Sequence, residues 1–154
     1  MSETRILAID PGSHCGWAQL DPAGLFSGTV HFTDDDYGWR FAHFHGWLKT
    51  RLSCDEWLIV WEAQHHRGAA ATQLGLGFQA ILQMVAARYE HRRMTCHTGT
   101  LKKWATGSGK AEKPEMMAAA ARLTGRVPAD DNEGDALCLL AWAEAHLETE
   151  GADE

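Results

Sequence analysis

Cysteine, proline and long apolar runs are all scarce in this chain of 154 residues. The four cysteines lie far apart and form no C-x-x-C pair, which excludes a disulfide framework and a zinc ribbon, so we expect reduced, buried thiols. No apolar run approaches 18 residues, so the sequence predicts no transmembrane span. The first ten residues lack the features of an export signal, and we expect a soluble, cytoplasmic protein.

The composition fits one ordinary globular domain, because 45% of the residues are hydrophobic and 23% are charged. We expect this domain to occupy residues 1–147. The remaining residues, 148–154, carry four carboxylates and read as an acidic C-terminal tail.

Positive charge is concentrated in one part of a chain whose formal net charge is -7. Residues 88–113 hold seven of the 14 Lys and Arg and only two Glu, a net charge of +5. Four lysines of this window lie beside Gly107-Ser108-Gly109, a loop in which backbone amides can approach a phosphate closely. We therefore predict DNA contacts by Lys102, Lys103, Lys110 and Lys113. A P-loop is excluded, since no hydroxyl residue follows Lys110.

Hydrophobic periodicity and turn signals predict a mixed α/β layout. Strands are predicted over residues 5–9, 16–20, 25–32, 57–61 and 94–97, and helices over 37–52, 72–89, 114–123 and 132–146. Residues 101–104 read as a helical turn and 106–111 as a glycine-rich loop.

Four carboxylates fall at places that this layout can bring together. Asp10 and Glu62 each end a predicted strand, and Asp131 and Asp135 lie four residues apart at the start of the last helix. Clustered carboxylates repel one another unless a divalent cation neutralises them, and Mg²⁺ prefers oxygen ligands. Two such ions could activate water for phosphodiester hydrolysis.

These motifs resemble the RuvC-type Holliday junction resolvases of the ribonuclease H-like superfamily. Residues 6–12 (ILAIDPG), followed by Gly16-Trp17-Ala18, are similar to the family's first strand, which carries a metal-binding aspartate. Glu62 matches its catalytic glutamate, Asp135-Ala136-Leu137 its final motif, and residues 107–113 its Gly-x-Gly-basic-Ala-x-Lys segment. The chain departs from the family at Asn132, where an acidic residue or histidine is usual; of Asp131 and Asn132, we choose Asp131 as the fourth ligand.

The resemblance implies a ribonuclease H-like fold and a Mg²⁺-dependent endonuclease that resolves four-way DNA junctions in recombination and repair. Asp10, Glu62, Asp131 and Asp135 would hold two Mg²⁺ ions, for which Mn²⁺ could substitute. His65 stands where the family carries an aromatic wedge residue, and we predict that it contacts DNA. Two alternatives stay open: a nuclease of this fold for other branched DNA or RNA-DNA hybrid, and a junction-binding module without turnover.

A homodimer is predicted from the helix at residues 72–89. This helix has two apolar faces, and the second, which includes Leu76, Ala80 and Met84, has no obvious partner within one small domain. Gly75 and Gly77 would let a second copy approach closely.

Overall fold

A five-stranded mixed sheet forms the centre of the protein in the computed structural model, which describes residues 4–63 and 68–152. The strands lie in the order β3-β2-β1-β4-β5, with β1–β3 antiparallel and β4 and β5 parallel to β1. The elements in chain order are β1 (Ile6–Asp10), β2 (His14–Asp21), β3 (Gly24–His31), α1 (Tyr37–Arg51), β4 (Leu58–Ala63), α2 (Ala69–Arg88), β5 (Arg92–His97), α3 (Thr98–Thr106), α4 (Lys113–Thr124) and α5 (Asp131–Ala152).

Each face of the sheet carries its own hydrophobic core. Ile6 and Ala8 of β1 pack with α3, α4 and α5 on one face, whereas Leu7 and Ile9 pack with α1 and α2 on the other. Because β1 and β4 are covered on both faces, they are continuous apolar runs without polar alternation. Their carboxyl ends meet at one edge of the sheet, where the register pairs Ile9 with Trp61.

The predicted elements are present, and the structure corrects the predictions in three details, two on helices and one on thiol burial. Residues 98–106 form the complete helix α3, of which only the turn at 101–104 was predicted, and Leu101 and Ala105 anchor it in the core. Helix α5 continues to Ala152, past the expected start of the acidic tail. The prediction of four buried thiols is wrong for Cys54, which is exposed, while Cys15, Cys96 and Cys138 are buried.

Helix α2 buries one face and exposes the other. Phe78, Leu82 and Val85 lie in the core, whereas Leu76 and Met84 are 59% and 51% exposed. The predicted roles of Gly75 and Gly77 at the exposed face are wrong. Gly75 is buried, and a Cβ atom on Gly77 would overlap the ring of Phe41, so Gly77 serves the packing of α2 on α1. By length and composition α2 could cross a membrane, but a core helix of a soluble protein passes the same test.

Candidate metal centre

Three carboxylates converge where the two central strands end. Asp10 is the last residue of β1, Glu62 is the penultimate residue of β4, and Asp135 lies one turn into α5. One oxygen atom of each carboxylate lies within 4.8 Å of the others. Asp10 and Glu62 are buried, at 7% and 4% exposed, and Asp135 is half-buried.

A close helix-to-strand contact brings the third carboxylate to the strand ends. Helix α5 packs across β1 and β2, and its first turn passes over Gly16, the residue that pairs with Asp10. A Cβ atom on Gly16 would overlap the carbonyl oxygen of Asn132. The absence of a side chain at Gly16 therefore allows α5 to approach the sheet and place Asp135 beside Asp10.

A network of part-buried polar groups holds the first turn of α5. The Asp130 carboxylate accepts hydrogen bonds from the Thr29 hydroxyl (2.7 Å) and from the backbone N–H of Glu133 (2.9 Å), so Asp130 caps the helix. Glu133 is 5% exposed and accepts from the Ser27 hydroxyl (2.6 Å) and from the Ala129 N–H (2.7 Å). Glu133 was not predicted from the sequence, although a carboxylate three residues beyond a helix cap is a recognisable signal.

The electrostatics of the cluster favour a bound cation. Burial, followed by the charges of Glu62 and Asp135, raises the pKa of Asp10 well above its ordinary value. Burial and the charges of Glu62 and Asp131 raise the pKa of Asp135 to about 7, although Lys102 and Lys113 oppose this shift. A divalent cation bound by all three carboxylates would remove this repulsion, so the donor set fits Mg²⁺ or Mn²⁺.

Asp131, the fourth predicted ligand, lies at the edge of the cluster. Its carboxylate is 3.2 Å from the ammonium of Lys113, and its charge acts on both Asp10 and Asp135. The structure thus brings three of the four predicted carboxylates together and pairs the fourth with a lysine. A role for Asp131 as a metal ligand stays a prediction.

A cleft of about 830 Å³ opens beside the cluster. Its lining includes the carboxylates of Glu62, Asp131 and Asp135 and the ammonium groups of Lys102, Lys110 and Lys113. Lys103, the remaining predicted lysine, is exposed and does not line the cleft.

Two local signals place these lysines on three different segments. Gly107 adopts a left-handed conformation (φ 89°) that ends α3, and a capping box between Glu112 and Glu115 begins α4. Lys102 therefore lies on α3, Lys110 in the connecting loop and Lys113 at the first residue of α4. His65, the predicted wedge residue, lies outside the described residues.

Comparison with solved structures identifies the fold. RuvC from Thermus thermophilus in complex with a Holliday junction substrate aligns with a TM-score of 0.75 at 18% identity, over 95% of this chain and 97% of that chain. A second Thermus thermophilus RuvC structure gives 0.68 at 18% identity, over 93% and 97%. The yeast mitochondrial Holliday junction resolvase Ydc2 gives 0.64 at 11% identity, over 90% and 76%. No protein-family model and no curated protein match the sequence.

The chain therefore has the ribonuclease H-like α/β fold of the RuvC structures, as the sequence predicts. Its acidic cluster lies at the carboxyl ends of the two parallel central strands.

Proposed function

We propose that this protein is a Mg²⁺-dependent endonuclease that resolves four-way DNA junctions. The observation that carries the proposal is the convergence of Asp10, Glu62 and Asp135 in a RuvC fold. A bound cation would neutralise buried carboxylates with raised pKa values, and a cleft that lysines also line can admit a phosphodiester.

Each part of the site has a distinct task in this proposal. Asp10, Glu62 and Asp135 hold the metal, and Asp131 is the candidate for a fourth ligand. Bound Mg²⁺ supplies activation of water and neutralisation of the charge that develops on phosphate. Lys102, Lys110 and Lys113 bind and orient the DNA backbone in the cleft. The expected products carry a 5′ phosphate and a 3′ hydroxyl, and no covalent intermediate with the protein is needed.

We propose further that the protein acts as a homodimer through α2. The exposed side chains of Leu76 and Met84 form an apolar stripe on that helix, with Ala80 between them. Burying this stripe against a second copy would remove it from water, and a two-fold dimer would present two active sites to the two strands that must be cut.

The decisive experiment compares substrates and metals on the purified protein. Labelled four-way junction, replication fork, linear duplex and RNA-DNA hybrid are incubated with Mg²⁺, with Mn²⁺ and with chelator. We expect paired nicks in the junction that require either metal and fail with chelator. If another substrate is cut preferentially, that substrate and not the four-way junction is the target of the nuclease. If the junction is bound tightly but not cut, the protein is a junction-binding module.

A further inference from the structure

Two histidines form an exposed pair near the metal centre that the proposed function does not use. His14 begins β2 and His31 ends β3, and the strand register places them opposite each other. Their Nδ1 atoms are 2.9 Å apart and their rings pack edge to face. One Nδ1 donates to the other in this contact, which leaves both Nε2 atoms outside it, and a pair that carries one added proton presents an N–H at both Nε2 atoms.

Strand alternation places this pair on the same face of the sheet as the carboxylates. Gly16 pairs with Asp10 and faces α5, and His14 lies two residues earlier on the same strand, so it projects to the same side. The strand order then gives one row along the sheet edge: Glu62 on β4, Asp10 on β1, His14 on β2 and His31 on β3. The histidines therefore lie beside the metal centre, on the side of β2 and β3.

Hydrogen bonds hold the turn that carries His14, and the guanidinium of Arg40, which is positively charged, is one of the donors. The Arg40 guanidinium donates to the Ser13 hydroxyl (2.9 Å) and to the backbone carbonyl of Asp34, while the Phe32 N–H donates to the Ser13 carbonyl (2.7 Å). Two aspartates of the adjoining segments contact other residues, since Asp34 contacts His43 (2.8 Å) and Asp130 accepts from Thr29, so Arg40 is not their partner.

We propose that His14 and His31, supported by Arg40, form a second contact for the nucleic-acid backbone beside the metal centre. This inference rests on the proposed function for the identity of the ligand. His31 lies two strands from Asp10 and two residues beyond its register position, so the Cα atoms are about 12 Å apart, which is about three to four nucleotides along a duplex axis. The strand to be cut would thus be held by the histidines in addition to the lysines of the cleft.

The test is binding of a labelled four-way junction to the full chain in EDTA, so that no metal held by imidazoles contributes. The double variant His14→Ala/His31→Ala is compared with His45→Ala/His146→Ala, which removes two histidines from α1 and α5 outside this surface. We expect the first variant to bind at least tenfold more weakly, with a shallower dependence of affinity on salt, and the control to bind like the wild type. In parallel, the ring NMR signals of the wild-type histidines are followed as a short-armed junction is added.

Shifts confined to the His14 and His31 signals would support the inference even if the double variant folded poorly. If the protein cuts junctions but both signals stay in place and the affinity is unchanged, this inference is overturned and the proposed function stands. Shifted signals together with an absence of metal-dependent cutting would support the contact and overturn the nuclease. A wild-type protein that binds no nucleic acid would overturn both.

Discussion

Asp10 and Glu62 share a hydrogen bond, and each of these two residues is less than a tenth exposed. Two carboxylates can share a hydrogen bond only when one of them carries a proton, so the pair without a cation holds a proton at pH values where a free aspartate has lost it. Mg²⁺ binding must displace that proton. The buried pair is therefore suited to a cation and poorly suited to stabilising the fold alone.

At this scale the first prediction is that Asp10→Asn, Glu62→Gln and Asp135→Asn each reduce junction cutting by about a thousandfold or more. Each change removes a charged ligand, and the metal supplies several kcal/mol of stabilisation in the reaction. Junction binding should persist, because it depends on the lysines of the cleft. The assay measures single-turnover cutting and, separately, binding in chelator.

The control for these variants is Asp35→Asn, which removes one carboxylate from an exposed position. It should cut like the wild type. Undiminished cutting by any of the three site variants would remove that residue from the metal centre.

The second prediction concerns the pH dependence of stability. The pKa of Asp135 rises from 3.8 to about 7 on folding, so between these pH values the native state binds more protons than the unfolded state. This group's contribution to the free energy of unfolding therefore falls as pH rises through that window, by at most about 4 kcal/mol. Urea unfolding of the metal-free wild type and of Asp135→Asn at pH 4.5 and 7.5 isolates the effect. The free energy of unfolding of the wild type, relative to that of Asp135→Asn, should be lower at pH 7.5 than at pH 4.5.

A difference that does not change with pH would show that Asp135 is not forced to hold a proton in the folded protein. Added Mg²⁺ provides the complementary check. Because it binds the deprotonated carboxylates, it should stabilise the wild type more at pH 7.5 than at pH 4.5, and should do so much less for Asp135→Asn.

Among the elements, α5 determines whether the metal centre exists, and Gly16 sets the distance between α5 and the sheet. We predict that Gly16→Ala destabilises the protein by about 1 to 3 kcal/mol, because the new methyl group meets the backbone of Asn132 and not a flexible side chain. The helix must shift outward and carry Asp135 with it, so Mg²⁺ should stabilise the variant less than it stabilises the wild type. Thermal unfolding with and without Mg²⁺ measures both effects.

Gly46→Ala is the matched control, since a Cβ atom at Gly46 of α1 meets open space and should leave stability unchanged or raise it. If Gly16→Ala behaved like this control, α5 would not depend on the missing side chain.

The positions of most elements follow from the sequence, and the exceptions have local causes. The continuous apolar runs of β1 and β4 and the periodic apolar stripes of α1 and α5 are recognisable in the sequence. Helix α3 begins with Thr98-Gly99-Thr100, residues of low helix propensity, and it forms because Leu101 and Ala105 are buried by tertiary packing. The role of Gly77 could not be predicted, because a small residue on a helix does not reveal which neighbour uses the space.

Helix α2 yields a prediction about assembly. If its exposed stripe is a dimer interface, Leu76→Glu/Met84→Glu should convert a dimer into a monomer at micromolar concentration, because burying the new charges would be costly. Light scattering gives the mass directly. Val127→Glu is the control: Val127 is 81% exposed and lies between α4 and α5, away from α2. A wild type that is already monomeric, with and without DNA, would count against the dimer.

At the scale of the whole molecule, the basic residues of one stretch of sequence lie at two different places in the structure. The basic window at residues 88–113 suggests one positive surface, yet β5 passes through it and separates its ends. Arg92 pairs with Leu58, the first residue of β4, while Glu62 lies four residues further along that strand, about 13 Å away. The arginines therefore lie toward the opposite end of the sheet from the cleft. The sequence predicted the positive charge of this window, but only the strand topology shows that its lysines, and not its arginines, lie near the metal centre.

That separation gives a final prediction about DNA affinity. Lys102→Ala/Lys110→Ala/Lys113→Ala and Arg88→Ala/Arg92→Ala/Arg93→Ala remove the same total charge from the two ends of the window. If DNA lies in the cleft, the lysine variant should reduce the slope of log affinity against log salt by about 2 to 3, since each lost phosphate contact contributes about 1. The arginine variant changes only the distant field, which salt screens beyond about 10 Å, so its slope should stay close to that of the wild type. Equal loss of slope in both variants would show that affinity follows net charge, and a larger loss in the arginine variant would place the DNA at the opposite end of the sheet.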